Sequence, residues 1–425
     1  MAKRTSDVFG MSPEVLDDSY VDRGGLDEAI KLLLGRKTHI ALRGESKAGK
    51  SWLRQRLIPD AITVQCRLGR PAAEIYRDAL SQLEISLEIE QTDQKSIKGR
   101  LEATTGFGAK LLAKVGITGE IGGEAGRETT TQKIGRDVTD LRFVAEIIKA
   151  SGRRLVIEDF HYLSPEQRKQ FAFDLKSLWD YGLFVVIVGV WTETNMLLEL
   201  NPDLAGRVEE VPVSWTDAEL KKIITQGGDA LKITFSDKFL NTASHDAFGN
   251  AGILQILILK TLDSLGIQEK CQAAVHVDKE DDFISAAMNY AEQLNPLYQQ
   301  FAKRVSNGIR TRKDSTGIYS HAMAAIVAAT DEKLVKGLPL DDIFAVTSSR
   351  EPRIQKGNLR IVLEKFESLQ VDSDGRGLVI SYNPAVSEVS IVDKQLLLYR
   401  KYATVKWPWE EMIRECTSDE SFVGG

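Results

Sequence analysis

Apolar residues along this chain come in two rhythms. Short, nearly unbroken apolar runs occur at His39-Ile40-Ala41-Leu42, Ile62 to Cys66, Leu155 to Ile157 and Leu183 to Val190, with a more polar one at Glu210 to Val213. Such runs, lacking alternation, predict strands buried on both faces. Between them the spacing turns helical. Residues 71–88, with Ala73, Ile75, Tyr76, Leu80, Leu83 and Ile85 near helical intervals, predict an amphipathic helix. Leu141 to Lys149 and Pro165 to Trp179 predict two more. From Thr216 to about Leu265 the pattern is helical throughout, with Asp217 and Ser236 placed to open helices. Residues 279–305 add one or two further helices before a polar linker, Ser306 to Ser315. The last part predicts three helices, Ile318 to Ala329, Leu340 to Val346 and Lys356 to Leu369. A hairpin follows, with a turn signal at Asp374-Gly375 and a second extended run at Val389 to Val392.

One stretch breaks the rhythm. Phe107 to Arg127 is rich in glycine with rough two-residue alternation. Glycines weaken any fixed strand, so the region of about 91–135 reads as a mobile insertion.

The chemistry begins where the first strand ends. Gly44-Glu45-Ser46-Lys47-Ala48-Gly49-Lys50-Ser51 is a complete G-x-x-x-x-G-K-S loop between a strand and a helix that starts at Lys50. Its two fixed glycines let successive backbone N–H groups point at phosphate oxygens, and the helix adds the positive end of its dipole. Lys50 would reach the β- and γ-phosphates of ATP, and the Ser51 hydroxyl would ligate Mg²⁺. The strand Leu155-Val156-Ile157 then ends in two carboxylates, Glu158 and Asp159. Glu158 is placed to hold the Mg²⁺ shell and Asp159 to orient or deprotonate the attacking water. This order inverts the usual Asp-Glu pair, and the shorter Asp159 predicts slow hydrolysis. Beyond the next strand, Thr192 and Asn195 are the two candidates for a polar residue sensing the γ-phosphate. Arg207 falls where a guanidinium could be offered to a neighbouring subunit's γ-phosphate; a plain surface arginine is the alternative.

Composition narrows the partners. The chain has 425 residues, enough for two or three domains, and a net charge of −6, so any nucleic-acid contact must be local. Cys66, Cys271 and Cys416 lack metal-ligand or disulfide-framework spacing, and no stretch approaches a membrane span. A soluble cytoplasmic protein without membrane contact is expected.

With these motifs in order, the chain resembles the AAA+ P-loop ATPases of the origin-recognition and STAND branch over roughly residues 8–265. Besides the loop and the acidic strand, the likeness rests on Tyr20-Val21-Asp22-Arg23-Gly24-Gly25-Leu26-Asp27, on the sensor strand Val186 to Asn195, and on Leu204 to Val208. The resemblance implies an α/β fold, with a parallel-sheet core flanked by helices over 1–213, a helical lid and connecting helices over 214–305, and a winged-helix-like domain with its tail over 306–425. It also implies that Tyr20 and Val21 flank adenine and that Trp52 belongs with the cofactor contacts. Where the family's lid carries an arginine, this chain has Gly249-Asn250-Ala251-Gly252, with Gly252 at the arginine's place. That departure favours a slowly hydrolysing, nucleotide-gated switch that forms a homo-oligomer with ATP and acts through a companion effector, for instance in bacterial anti-phage defence. The alternative is a DNA-binding ATPase similar to replication initiators or transposition regulators, with Arg350, Arg353, Lys356 and Arg360 contacting duplex DNA.

Overall fold

The computed structural model describes residues 2–67, 69, 71–89, 99–102, 106–115, 140–191, 195–308, 316–370 and 378–418. Five strands form one parallel sheet: β1 (His39–Arg43), β2 (Ile62–Gln65), β3 (Leu155–Glu158), β4 (Val186–Gly189) and β5 (Val208–Pro212). Their order is β2-β3-β4-β1-β5. Parallel neighbours require crossovers, so helices intervene along the chain and cover the sheet. The three inner strands are buried almost throughout, as their apolar runs require, whereas edge strand β5 is mostly half-exposed. All five run the same way, so Gly44, Cys66, Asp159, Val190 and Val213 leave the sheet at one edge. Ligands of open α/β sheets sit at that edge.

The chain divides into two compact units. One comprises Gly24–Gly44 and Lys50–Val213 and holds the sheet. The other comprises Met1–Arg23, Glu45–Gly49 and Ser214–Gly425. In this second unit the helices Asp217–Leu231, Asp237–Asp246, Ala251–Ser264 and Glu280–Asn307 share one apolar core with the C-terminal elements, from Val8 to Trp409. Those elements are Ile318–Ala328, Asp331–Lys336, Leu340–Arg350, Lys356–Glu364, Phe366–Gln370, a three-stranded antiparallel sheet (Leu338–Pro339, Ile380–Asn383, Glu388–Ile391) and the helices Gln395–Tyr402 and Pro408–Ser418.

Several elements depart from the sequence pattern. The helix expected over 71–88 is Ala73–Ser81, and Glu84 turns through a left-handed conformation. Residues 86–89 then pair antiparallel with 99–102. Part of the glycine-rich stretch is a helix, Gly106–Lys114, with Leu111 and Leu112 buried in the core of the sheet unit. Gly108 serves approach rather than looseness there, since a Cβ would lie 2.5 Å from the Glu84 carbonyl oxygen. The remainder of the expected insertion, residues 91–98, 103–105 and 116–135, and the Asp374-Gly375 turn lie outside the described residues. The helical stretch 216–265 is interrupted by Ile233–Phe235, which pairs in parallel with Val275–Val277. Helix Glu280–Asn307 runs into the expected linker, and the expected helix over 356–369 is two, broken at Lys365.

Candidate nucleotide site

In the sheet unit, the residues before and after the loop tip are fixed from both sides. Gly44 has φ 149°, and a Cβ on it would lie 2.6 Å from the Val213 carbonyl oxygen, so only glycine fits. Lys50 opens the helix Lys50–Leu57 with its side chain buried, and its Nζ donates to the Gly44 carbonyl at 2.9 Å. Ser51 is exposed and Trp52 half-buried in the same turn.

The two acids have different surroundings. Glu158 is the last residue of β3, and its Oε1 accepts from Arg54 Nε at 2.9 Å, both side chains being about nine-tenths buried. Asp159 leaves the strand with φ 58° and heads the short turn Phe160–Tyr162. Burial pushes the Asp159 carboxyl pKa up, the neighbouring Glu158 charge adds to this, and the Lys50 ammonium partly offsets it. Lys50 therefore acts on Asp159, while Glu158 is engaged by Arg54. His161, two residues on, accepts from the Val190 N–H through Nδ1 at 3.3 Å, linking the acidic turn to the end of β4. Burial, with the Lys50 and Arg168 charges, lowers its pKa to about 4, so it is neutral at pH 7.

The loop tip, Glu45–Gly49, is held by its carbonyls. Asn250 Nδ2 donates to Ser46 O at 2.8 Å and the Gly252 N–H to Lys47 O at 3.0 Å. Trp215 Nε1 donates to Ala48 O at 2.9 Å. Arg23, its guanidinium 4.2 Å over the Trp215 ring, donates to Ala48 O at 2.7 Å and Gly49 O at 3.4 Å. With the carbonyls capped by donors, each peptide is polarised in the sense that strengthens its own N–H as an anion donor. Val21 is buried in the same unit, and the Tyr20 carbonyl accepts from Gln226.

Other sequence candidates are dispersed. Thr192 lies outside the described residues. Asn195 is exposed, and its N–H donates at 2.8 Å to Glu210, which pairs with Arg43 just before the loop. Arg207 precedes β5 at the opposite end of the strands from Gly44, about 20 Å away at six residue rises. Its guanidinium lies 4.9 Å over Trp179 and donates to the Asp203 carbonyl. In the basic cluster, Arg353 bonds both oxygens of Glu351 at 2.9 Å, holding that carboxyl down at about 2. Lys356 pairs with Asp341, and Arg360 with Glu364 at 3.1 Å. Three of the four cations are thus matched by carboxylates.

No family model matches the chain, and no curated protein does. Among solved structures, it is similar to a Pyrococcus horikoshii STAND ATPase with a tetratricopeptide repeat sensor, at 12% identity and a TM-score of 0.37, over 96% of this chain and 45% of that one. The chain therefore spans less than half of that protein's length. It is also similar to the Thermotoga maritima RuvB Holliday junction branch migration motor, at 13% identity and a TM-score of 0.35, over 89% of this chain and 92% of that one.

Sequence reasoning gave no individual role to Arg54, His161, Arg23 or His39. His39 sits in an apolar run, and only the structure reveals it as a core tie: Nε2 bonds the Leu175 carbonyl at 2.9 Å and Nδ1 accepts from the Val185 N–H at 3.0 Å. Burial holds its pKa at about 4. Between pH 6.5 and 4 the unfolded chain therefore binds more protons than the folded one, so this residue's contribution is intact above pH 6.5 and is lost as pH falls toward 4. Denaturant titration should show about 2.5 kcal/mol lost through His39 between pH 7.5 and 4.5. His39→Gln, which can make both hydrogen bonds, should flatten the profile by that amount; an unchanged profile would rule out the buried neutral imidazole.

Proposed function

We propose that this protein binds Mg·ATP and hydrolyses it slowly, as a nucleotide-gated AAA+-type switch that assembles through its nucleotide site. One observation carries the reading: a complete phosphate loop leaves the ligand-binding edge of a parallel sheet with Asp159 under the influence of Lys50. A carboxyl with a raised pKa is the better proton acceptor for an attacking water. The Ser51 hydroxyl and one carboxylate suit Mg²⁺, which takes its other ligands from phosphates and water. Among the described residues no group of three or more acidic, histidine or cysteine side chains forms an all-protein metal cage, in keeping with that mode. The bound ion would offset charge on the transferring phosphoryl group.

Slow turnover is the reading of two features, the short Asp159 and a lid position with no side chain at Gly252. Assembly is the reading of Arg207, which is too far from its own loop to act within one subunit. The C-terminal module, winged-helix-like in its element order, is read as a protein-packing rather than a DNA-binding element, because its basic cluster is largely paired. No helix among the described residues is long and apolar enough to cross a membrane; a cytoplasmic location is proposed.

The test is ATP turnover in three proteins. Asp159→Asn should bind ATP normally and hydrolyse it at least tenfold more slowly, the scale of general-base catalysis. Wild-type turnover per subunit should rise with protein concentration, and Arg207→Ala should bind ATP but turn it over slowly. Mixing Arg207→Ala with Lys50→Ala should recover activity, because one supplies the intact loop and the other the arginine. Turnover that is independent of concentration, with no recovery on mixing, would exclude assembly through the site.

A further inference from the structure

The helix that Lys50 opens carries a second cation. Arg54 follows Lys50 by four residues, so the two side chains leave the same face of helix Lys50–Leu57 one turn apart. Their targets differ. Lys50 Nζ donates to the Gly44 carbonyl and its charge acts on Asp159, whereas Arg54 Nε donates to Glu158 Oε1 at 2.9 Å. The Arg54 and Glu158 side chains are only 11% and 8% exposed. Arg56, two residues on, faces Asp27 instead, at 3.9 Å. Both partners of the buried pair belong to the sheet unit.

The main chain of Glu158 is fixed in the sheet. It stands opposite Gln65 in the register of β2 and β3, and its carbonyl accepts from the Cys66 N–H at 2.9 Å. Any rearrangement of the pair therefore falls to Arg54, whose long side chain can swing away by rotamer changes alone. In its present position Arg54 supplies the positive charge that a metal would otherwise bring. A buried carboxylate without a counter-charge is costly, and beside a triphosphate it would also repel the ligand. The guanidinium removes both costs. A dication drawn to the same carboxylate meets that guanidinium, and like charges at contact distance repel strongly where water is scarce. Mg²⁺ and Arg54 are thus alternatives at Glu158.

Resting on the Mg·ATP reading above, we propose that Arg54 is a positioning residue that competes with Mg²⁺ for Glu158 and so separates nucleotide binding from metal loading. Nucleotide then enters a charge-balanced site without metal, and magnesium completes it only at concentrations that dislodge the guanidinium. Free Mg²⁺ becomes a control on the site.

Binding of a non-hydrolysable ATP analogue, measured by calorimetry in excess EDTA and at a series of buffered free Mg²⁺ concentrations, tests this. It reads the metal-free affinity and the Mg²⁺ concentration at half-effect. In Arg54→Met the metal-free affinity should fall about tenfold or more, the scale of one charge-assisted pair, while the magnesium midpoint drops by a similar factor. A residue that only holds the fold, or only orients Glu158 for the metal, would leave that midpoint unchanged or raise it, and either result overturns the proposal. In the Glu158→Gln background there is no carboxylate to compete for, so Arg54→Met should leave the midpoint within about twofold. A shift of full size in that background would show that Arg54 acts without Glu158, and the proposal falls. Arg54→Lys, which keeps the charge, should stay near the wild-type midpoint. Should Arg54→Met fail to fold by its thermal melt, Arg54→Gln replaces it, retaining a donor to Glu158 without the charge. Wild-type protein that binds the analogue neither with nor without Mg²⁺ would overturn the ATP reading itself, whereas wild-type binding with the same magnesium midpoint in Arg54→Met overturns only the role of Arg54.

Discussion

Lys50→Ala is expected to lose ATP affinity by about a hundredfold or more while melting within a few degrees of the wild type. The size follows from the chemistry: two charge-assisted contacts to the β- and γ-phosphates, each about 1.5–3 kcal/mol, disappear together. The fold should tolerate the change because the ammonium's hydrogen bond within the sheet unit goes to Gly44 O, a carbonyl that can be solvated once the side chain is gone. Calorimetric titration and a thermal melt check both halves. Wild-type affinity in this variant would remove the proposed nucleotide site altogether.

Gly252→Arg should do harm where a motif comparison would expect repair. The family resemblance suggests that restoring an arginine would add a γ-phosphate contact and speed hydrolysis. The geometry predicts the reverse, because the new Cβ would sit 2.6 Å from Lys47 Cβ and 2.9 Å from the Lys47 carbonyl oxygen. Either the helix Ala251–Ser264 or the loop tip must move. Overpacking of this kind costs about 1–3 kcal/mol. The loss should appear as a melting point several degrees lower and as ATP affinity reduced at least tenfold, with Gly252→Ala changing both in the same direction. Faster turnover in Gly252→Arg would show that the turn can open to admit a side chain.

How much of this was legible depended on how local the determinants are. The phosphate loop, the strand before it and the acidic strand end are written in contiguous residues, and β1 and β3 form where the apolar runs lie. Helix starts were readable for the same reason: Ser236 caps through its own hydroxyl to the Phe239 N–H. The neighbouring helix opens at Asp217 as expected, and its cap comes from the residue before, Thr216, in a box with Glu219. The Arg54–Glu158 pair was illegible because the partners are far apart in sequence and Arg54 looks like an ordinary residue on a helix surface. His39 hid in a strand pattern, its polarity satisfied only by the Leu175 carbonyl and the Val185 N–H. The helix expected over 71–88 failed at its end because apolar spacing carries no information about Glu84, which turns left-handed and redirects the chain.

The hydrogen bonds to the loop tip bear on modularity. The eight-residue motif looks portable, a cassette that any strand and helix could host. Here the carbonyls of Ser46, Lys47, Ala48 and Gly49 are claimed by Arg23, Trp215, Asn250 and Gly252, and the Glu45 carboxylate by Lys394. A fragment ending at Val213 would carry every signature residue of the motif yet forfeit most of the donors that set its shape. Exchanging the C-terminal half for another would, for the same reason, keep the sequence of the loop without the donors that set its shape.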